Sequence, residues 1–163
     1  MTWQPEYANL FVALVLGMAI GWERSLEGKP AGYRTHGLVA IGAAGILLAV
    51  RASMGEDPES RRYVVHAVAG VITGIGFLGA GAILQGERSV RGLTTAATIW
   101  IVAAIGVACG FGQPLLAILM AGTAWVVLKA FVKLENLLFE RPVRNSEGRH
   151  PEKKTKPTDA EDG

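Results

Sequence analysis

Apolar and charged positions alternate along this chain in long blocks. No Asp, Glu, Lys or Arg occurs from Tyr7 to Trp22, from Thr35 to Val50, from Tyr63 to Gly86, or from Gly92 to Leu128, blocks of 16, 16, 24 and 37 residues. A helix crossing the ~30 Å hydrocarbon layer needs about 20 apolar residues, with ~17 as the usual lower bound. The first two blocks reach that length with their flanks, and the third reaches it alone. The fourth would run to roughly 55 Å as one helix, too long for one crossing. It divides most naturally at Gly110-Phe111-Gly112-Gln113-Pro114, because glycine ends helices and proline starts them. Five spans are therefore predicted, at about 6 to 23, 35 to 51, 63 to 85, 92 to 109 and 114 to 132. Backbone polar groups in lipid must be paired within the segment, which makes the expected fold an all-α, polytopic membrane helix bundle.

Composition sharpens this. Half of the 163 residues are hydrophobic and 18% are charged, below the ~25% of an average soluble domain. Residues 1–6 hold no Lys or Arg to form the basic start of a cleaved signal peptide. With the N-terminus outside, thirteen Lys and Arg residues fall on the cytoplasmic side and Arg51, Arg61 and Arg62 on the other. The positive-inside bias thus predicts an extracytoplasmic N-terminus and a cytoplasmic C-terminus. The division is a transmembrane domain over 1–135 and a charged tail over 136–163. The tail mixes charges of both signs with Pro142, Pro151 and Pro157, and is expected to be disordered. The net charge of +2 reflects a basic rim suited to anionic lipid, and no interleaving of aromatic and basic residues suggests nucleic acid.

The lone Cys109 excludes an intrachain disulfide and reads as packing. Gly74-Ile75-Gly76-Phe77-Leu78-Gly79 fits the dinucleotide-binding pattern, but that pattern has meaning only between a strand and a helix. Helical geometry gives a better reading. Gly70, Thr73, Gly74, Phe77 and Gly81 share a face, and Gly70, Gly74, Gly76, Gly79 and Gly81 are expected to be helix-packing glycines of span three. Gly17 with Gly21, and Gly106 with Gly110, repeat the small-xxx-small device in spans one and four. Glycine density also eases local unwinding, which in a bundle can expose carbonyls to an ion.

Polar chemistry collects at the ends of spans one, two and four. Arg91, Thr94, Thr95 and Thr98 form a stripe on one helical face, and the loop from Glu23 to His36 is the most polar of the chain. Ionisable groups at the bilayer boundary are costly unless paired, so Glu23 is expected to pair with Arg24, Arg34 or Arg91. The candidate functional rim is Glu23, Arg24, Arg34, Thr35, His36, Arg91, Thr94 and Thr95, while His66 reads as a satisfied polar residue. Glu23-Arg24-Ser25 and Glu87-Arg88-Ser89, followed by Gly37-Leu38 and Gly92-Leu93, suggest a repeat of two helical hairpins. No carboxylate lies near the midplane of any span, which excludes a carboxylate-based ion site there.

Four segments in order carry a resemblance: Gly21-Trp22-Glu23-Arg24; Lys29 to Val39; Gly74 to Gly81; and Val90 to Trp100. Over about residues 7 to 135 the chain resembles the MgtC/SapB family of bacterial membrane proteins. The resemblance implies a multi-pass inner-membrane protein of magnesium homeostasis and growth at low Mg2+. Tyr33 and Ser25 depart mildly from the family pattern, and the folded C-terminal domain of long members is replaced by the short tail. Two functions follow as expectations: modulation of another membrane complex, or direct transport of Mg2+ or another small solute. No Ser/His/Asp or HExxH constellation points to an enzyme, and no cofactor is expected. The lipid bilayer is one partner. A second membrane complex, a second copy of the chain and Mg2+ stay open as others, and no metal ligand is assigned.

Overall fold

The computed structural model describes residues 5–54, 60–85 and 89–138. After a 3-10 turn at Pro5–Tyr7 come five helices: α1 (Ala8–Leu26), α2 (Tyr33–Ala52), α3 (Ser60–Gly81), α4 (Leu93–Gly110) and α5 (Pro114–Leu138). A helix stands at each of the five predicted spans, with ends shifted by a few residues. Four of the helices, α1 to α4, are long and apolar enough to cross a membrane; the apolar part of α5 is shorter, Pro114–Ala130. The structure adds one element to the helical expectation, a two-residue antiparallel ladder in which Leu84 pairs with Arg91 and Gln85 with Val90, joining α3 to α4. Most of the predicted tail, 139–163, and the Glu87-Arg88 part of the proposed repeat lie outside the described residues. The repeat does not extend to helix starts: Gly37 lies inside α2, whereas Gly92 precedes α4.

Two helix ends are built alike. At the end of α1, Gly28 N–H donates to Ser25 O (3.1 Å) and Lys29 N–H to Arg24 O (3.0 Å); at the end of α4, Gly112 donates to Cys109 O (2.9 Å) and Gln113 to Ala108 O (3.0 Å). Both are Schellman closures, which require a left-handed residue after the helix, and Gly28 (φ 66°) and Gly112 (φ 74°) supply it. Pro30 then keeps the chain from continuing α1, while Pro114 opens α5 as its first residue.

The most extensive packing is α1 on α2, followed by α2 on α4; α3 lies against α4 and, to a smaller extent, α2. Close approach explains the order. A Cβ on Gly17 of α1 would lie 2.7 Å from His36 O and from Ala40 Cβ, and one on Gly106 of α4 would meet Ala40 O and lie 2.9 Å from Ala43 Cβ. The Ala40 turn of α2 is thus held between glycines on two helices, and Ala13, Ala40, Ala44, Val102, Ile105 and Cys109 fill the resulting core. Without a hydrophobic drive between helices in lipid, such backbone proximity is the main source of cohesion.

The glycines of α3 behave differently. Gly70, Gly74, Gly76 and Gly81 have nothing within 4 Å of a built Cβ among the described residues, and only Gly79 packs, 3.7 Å from Ala96 Cβ. The face shared by Gly70, Gly74 and Gly81, with Phe77 at 79% exposure, points out of the bundle. Among the described residues Gly70, Gly74, Gly76 and Gly81 pack against nothing, because α4 covers the opposite side of α3. The dinucleotide-like run lies inside this helix, with no strand before it among the described residues.

Candidate functional site

At the end of the bundle where α1 finishes and α2 and α4 begin, five polar side chains are buried: Glu23, Arg24, His36, Thr95 and Thr98. Their helices determine the arrangement. Glu23 and Arg24 are on the last turn of α1, His36 on the first turn of α2, and Thr95 and Thr98 on the first turns of α4.

Arg24 reaches across to α4, its Nη2 lying 3.5 Å from Thr95 Oγ1, while Nη1 is 3.5 Å from Glu27 Oε2 one turn on. Glu23 is 3% exposed and faces α5, where Lys129 Nζ lies 3.1 Å from its Oε1 and 3.7 Å from Glu27 Oε1. The Glu23–Lys129 contact lacks hydrogen-bonding geometry, and among the described residues neither Glu23 oxygen nor Arg24 Nε has a hydrogen-bond partner. Its attraction is therefore Coulombic, with Lys129 partly in solvent at 43% exposure.

His36 joins α2 to α4. Its Nδ1 is 2.9 Å from Gly32 O, an acceptor only, so Nδ1 carries a hydrogen and donates. Its Nε2 is 3.1 Å from Thr98 Oγ1, which is itself 2.8 Å from Thr95 O. A hydroxyl has one hydrogen. With a neutral ring, Thr98 donates either to Nε2 or to Thr95 O; with a doubly protonated ring, Nε2–H donates to Thr98 and Thr98 to Thr95 O.

The predicted rim therefore divides. Glu23, Arg24, His36 and Thr95 come together in the buried cluster, and Arg34, Thr35, Arg91 and Thr94 are exposed around it. The expected partners of Glu23 are corrected: neither Arg24, Arg34 nor Arg91 pairs with it, because Arg24 turns to Glu27 and Thr95, Arg34 lies over the Tyr33 ring at 5.7 Å, and Lys129 arrives from α5. Tyr33 in turn packs at 6.0 Å on Trp22, an amphipathic pair suited to the membrane boundary. Glu27 and Lys129 were not among the predicted residues. A signal for Glu27 was its i,i+4 spacing from Glu23, but Lys129 is brought in only by tertiary packing.

Beside this cluster a groove of about 490 Å³ runs between α4 and α5. Its walls include Ile101, Met120 and Val127, with hydroxyls from Thr94, Thr98 and Thr123. At the opposite end of the bundle Arg51 donates to Gly110 O (3.0 Å), capping α4, and lies 3.7 Å from Glu6. His66 is exposed beside Arg61 and Arg62. Among the described residues no three His, Cys, Asp or Glu side chains are grouped for a metal.

Residues 10–137 match the MgtC family. The chain is 48% identical over 109 residues to Protein MgtC of Salmonella typhimurium, covering 67% of this chain and 45% of that protein. It is 44% identical over 115 residues to Protein MgtC of Brucella abortus, covering 69% and 46%. The chain thus spans about half the length of these relatives. No solved structure matches it.

Proposed function

Because the chain belongs to the MgtC family, we propose that it is a multi-pass inner-membrane protein serving magnesium homeostasis and growth at low Mg2+, and that it acts by modulating another membrane complex. In this reading the buried polar cluster lies on the cytoplasmic side. The observation that carries it is the α4–α5 groove, which is open along the side of the bundle, apolar enough for a transmembrane segment, and dotted with hydroxyls that can bond across helices. The groove adjoins Thr98 and hence the His36–Thr98 link, so an occupant would press on the cluster that ties α1, α2 and α4 together.

The test fills the groove. Thr123 is exposed on α5, its hydroxyl bonded within its own helix to Leu119 O. Thr123→Phe should insert and fold normally yet fail to support growth at low Mg2+. Wild-type growth would remove the groove from the function. Vesicles holding only the purified chain should show no Mg2+ flux above empty vesicles; a flux would favour direct transport instead.

A further inference from the structure

The corner between α1 and α2 carries a stack of three planar groups on the outside of the bundle. A Cβ on Gly21 would lie 2.6 Å from Tyr33 Cα and 2.7 Å from Gly32 O, so the two backbones are in contact here, and Tyr33 N–H donates to Ser25 Oγ (3.2 Å). On this fixed corner the Trp22 and Tyr33 rings lie 6.0 Å apart, and the Arg34 guanidinium lies 5.7 Å over the Tyr33 ring with Nε donating to Tyr33 Oη (3.3 Å). The stack orients the guanidinium. Among the described residues Tyr33 takes one of its five N–H groups, and the fork formed by Nη1 and Nη2 stays at an exposed position.

The sequence sets the depth of this stack. Trp22 is the last residue of the first uncharged block and Arg34 immediately precedes the second, so both helices cross the membrane boundary here. Leu38, one turn deeper than Arg34, is 70% exposed. Leu26, one turn past the end of the first block, is 72% exposed and extends the apolar surface to the level of the headgroups. The charges are sorted as well: Glu23 and Glu27 turn to Lys129 of α5, while the exposed Lys29 and Arg34 give the corner its charge.

We infer that Trp22, Tyr33 and Arg34 form a docking site for one anionic phospholipid, its phosphate held by the Arg34 fork, its chains on Trp22 and Leu38, and Lys29 adding attraction from the loop. A planar guanidinium meets a phosphate with two parallel hydrogen bonds while it stacks on an aromatic ring, which an ammonium cannot do. A zwitterionic lipid offers the same phosphate but brings its own cation up to Arg34 and Lys29, so the anionic headgroup is preferred. His36 lies on the same turn of α2 as Arg34, which puts the lipid against the outer side of the helix that carries the buried cluster. The inference depends on neither the groove nor the orientation of the chain, so it stands or falls apart from the function proposed above.

The experiment reads Trp22 directly. The full chain with Trp3, Trp100 and Trp125 replaced by Phe is reconstituted in phosphatidylcholine vesicles, and brominated phosphatidylglycerol is added as a minor component. It should quench Trp22 fluorescence with an apparent affinity roughly fivefold or more above that of brominated phosphatidylcholine, the factor for one cation at an anionic surface. Arg34→Gln, at an exposed position that does not threaten folding, should remove most of this preference, and Arg34→Lys should keep only part of it. An excess of inorganic phosphate should leave it in place. If the chain with three Phe replacements does not fold, native mass spectrometry of the chain with all its tryptophans decides instead, with wild type expected to retain one phosphatidylglycerol more than Arg34→Gln. The proposal is overturned by equal quenching with the two lipids, by a preference that survives Arg34→Gln or is undiminished in Arg34→Lys, by its loss in phosphate, by equal lipid retention in the mass spectra, or by a Trp22 shielded from both lipids, the mark of a protein partner on this corner.

Discussion

Replacing Gly106 by alanine adds one methyl group where α4 meets α2, and the structure gives that methyl nowhere to go. It would meet Ala40 O and lie 2.9 Å from Ala43 Cβ and 3.0 Å from Ala40 C. None of these atoms is the end of a flexible side chain, so relief requires the two helices to separate. Overpacking of this kind costs ~1–3 kcal/mol, and the higher helix propensity of alanine returns ~1 kcal/mol at most. Because rigid backbone and Cβ atoms are the obstruction, the net expected loss is about 1–2 kcal/mol, or roughly 2–8 °C in the thermal midpoint of a chain this size. Gly17→Ala should cost a similar amount, since it presses on the same Ala40 turn from α1. Gly74→Ala and Gly81→Ala add the same methyl to open space and should be neutral or slightly stabilising. The assay is thermal unfolding of the four variants in one detergent, followed by tryptophan fluorescence. If Gly106→Ala matched wild type while Gly74→Ala lost stability, the assignment of packed and unpacked glycines would be reversed.

Arg24→Ala should destabilise the chain by about 2–3 kcal/mol, less than the ~3–5 kcal/mol for breaking a fully buried pair because Glu27 is partly solvated; chemical denaturation measures this. Thr98→Val keeps the shape but removes the oxygen facing His36 Nε2, and should cost about 1–2 kcal/mol. Thr123→Val, at an exposed hydroxyl bonded within its own helix, should stay within about 0.5 kcal/mol of wild type. A reporter active only in the cytoplasm should give signal when fused after Leu138 and none after Met54; reversed signals would overturn the orientation drawn from the basic residues.

The helices were legible because lipid imposes a length and a pairing rule on every span. The break at Gly110 to Pro114 was legible because a Schellman closure and a helix-starting proline both leave a mark in the local sequence. Gly17, Gly21, Gly106 and Gly110 lie at close helix contacts, as their small-xxx-small spacing implies, and of the eight rim residues Glu23, Arg24, His36 and Thr95 are buried together while Arg34, Thr35, Arg91 and Thr94 stay exposed. Four of the α3 glycines, Gly70, Gly74, Gly76 and Gly81, differ from the packing expectation for a physical reason: no described residue lies against them, and Gly79 alone packs. A shared helical face identifies which residues look the same way, but not whether another helix or lipid lies opposite, and glycine suits both. The partner of Glu23 was missed for a related one. In the sequence Lys129 is only the first charge after a long apolar block, and its role arises when α5 packs back on α1.

The seat of α2 between α1 and α4 also bears on the order in which the molecule comes together. A ribosome delivers α1, α2 and α3 before α4, so the first hairpin can close at Gly17 while the other side of the Ala40 turn still faces lipid. When α3 enters, its main contact, α4, does not yet exist, and α2 offers it only a minor one. Its arrival therefore leaves the assembly incomplete, and α4 is the element that completes it, filling the face of α2 and giving α3 a side to rest on. A chain cut between α3 and α4 should hold a tight pair of helices with a third adrift beside it. The late helix is thus the keystone, and faults in α4 should be felt by segments made well before it.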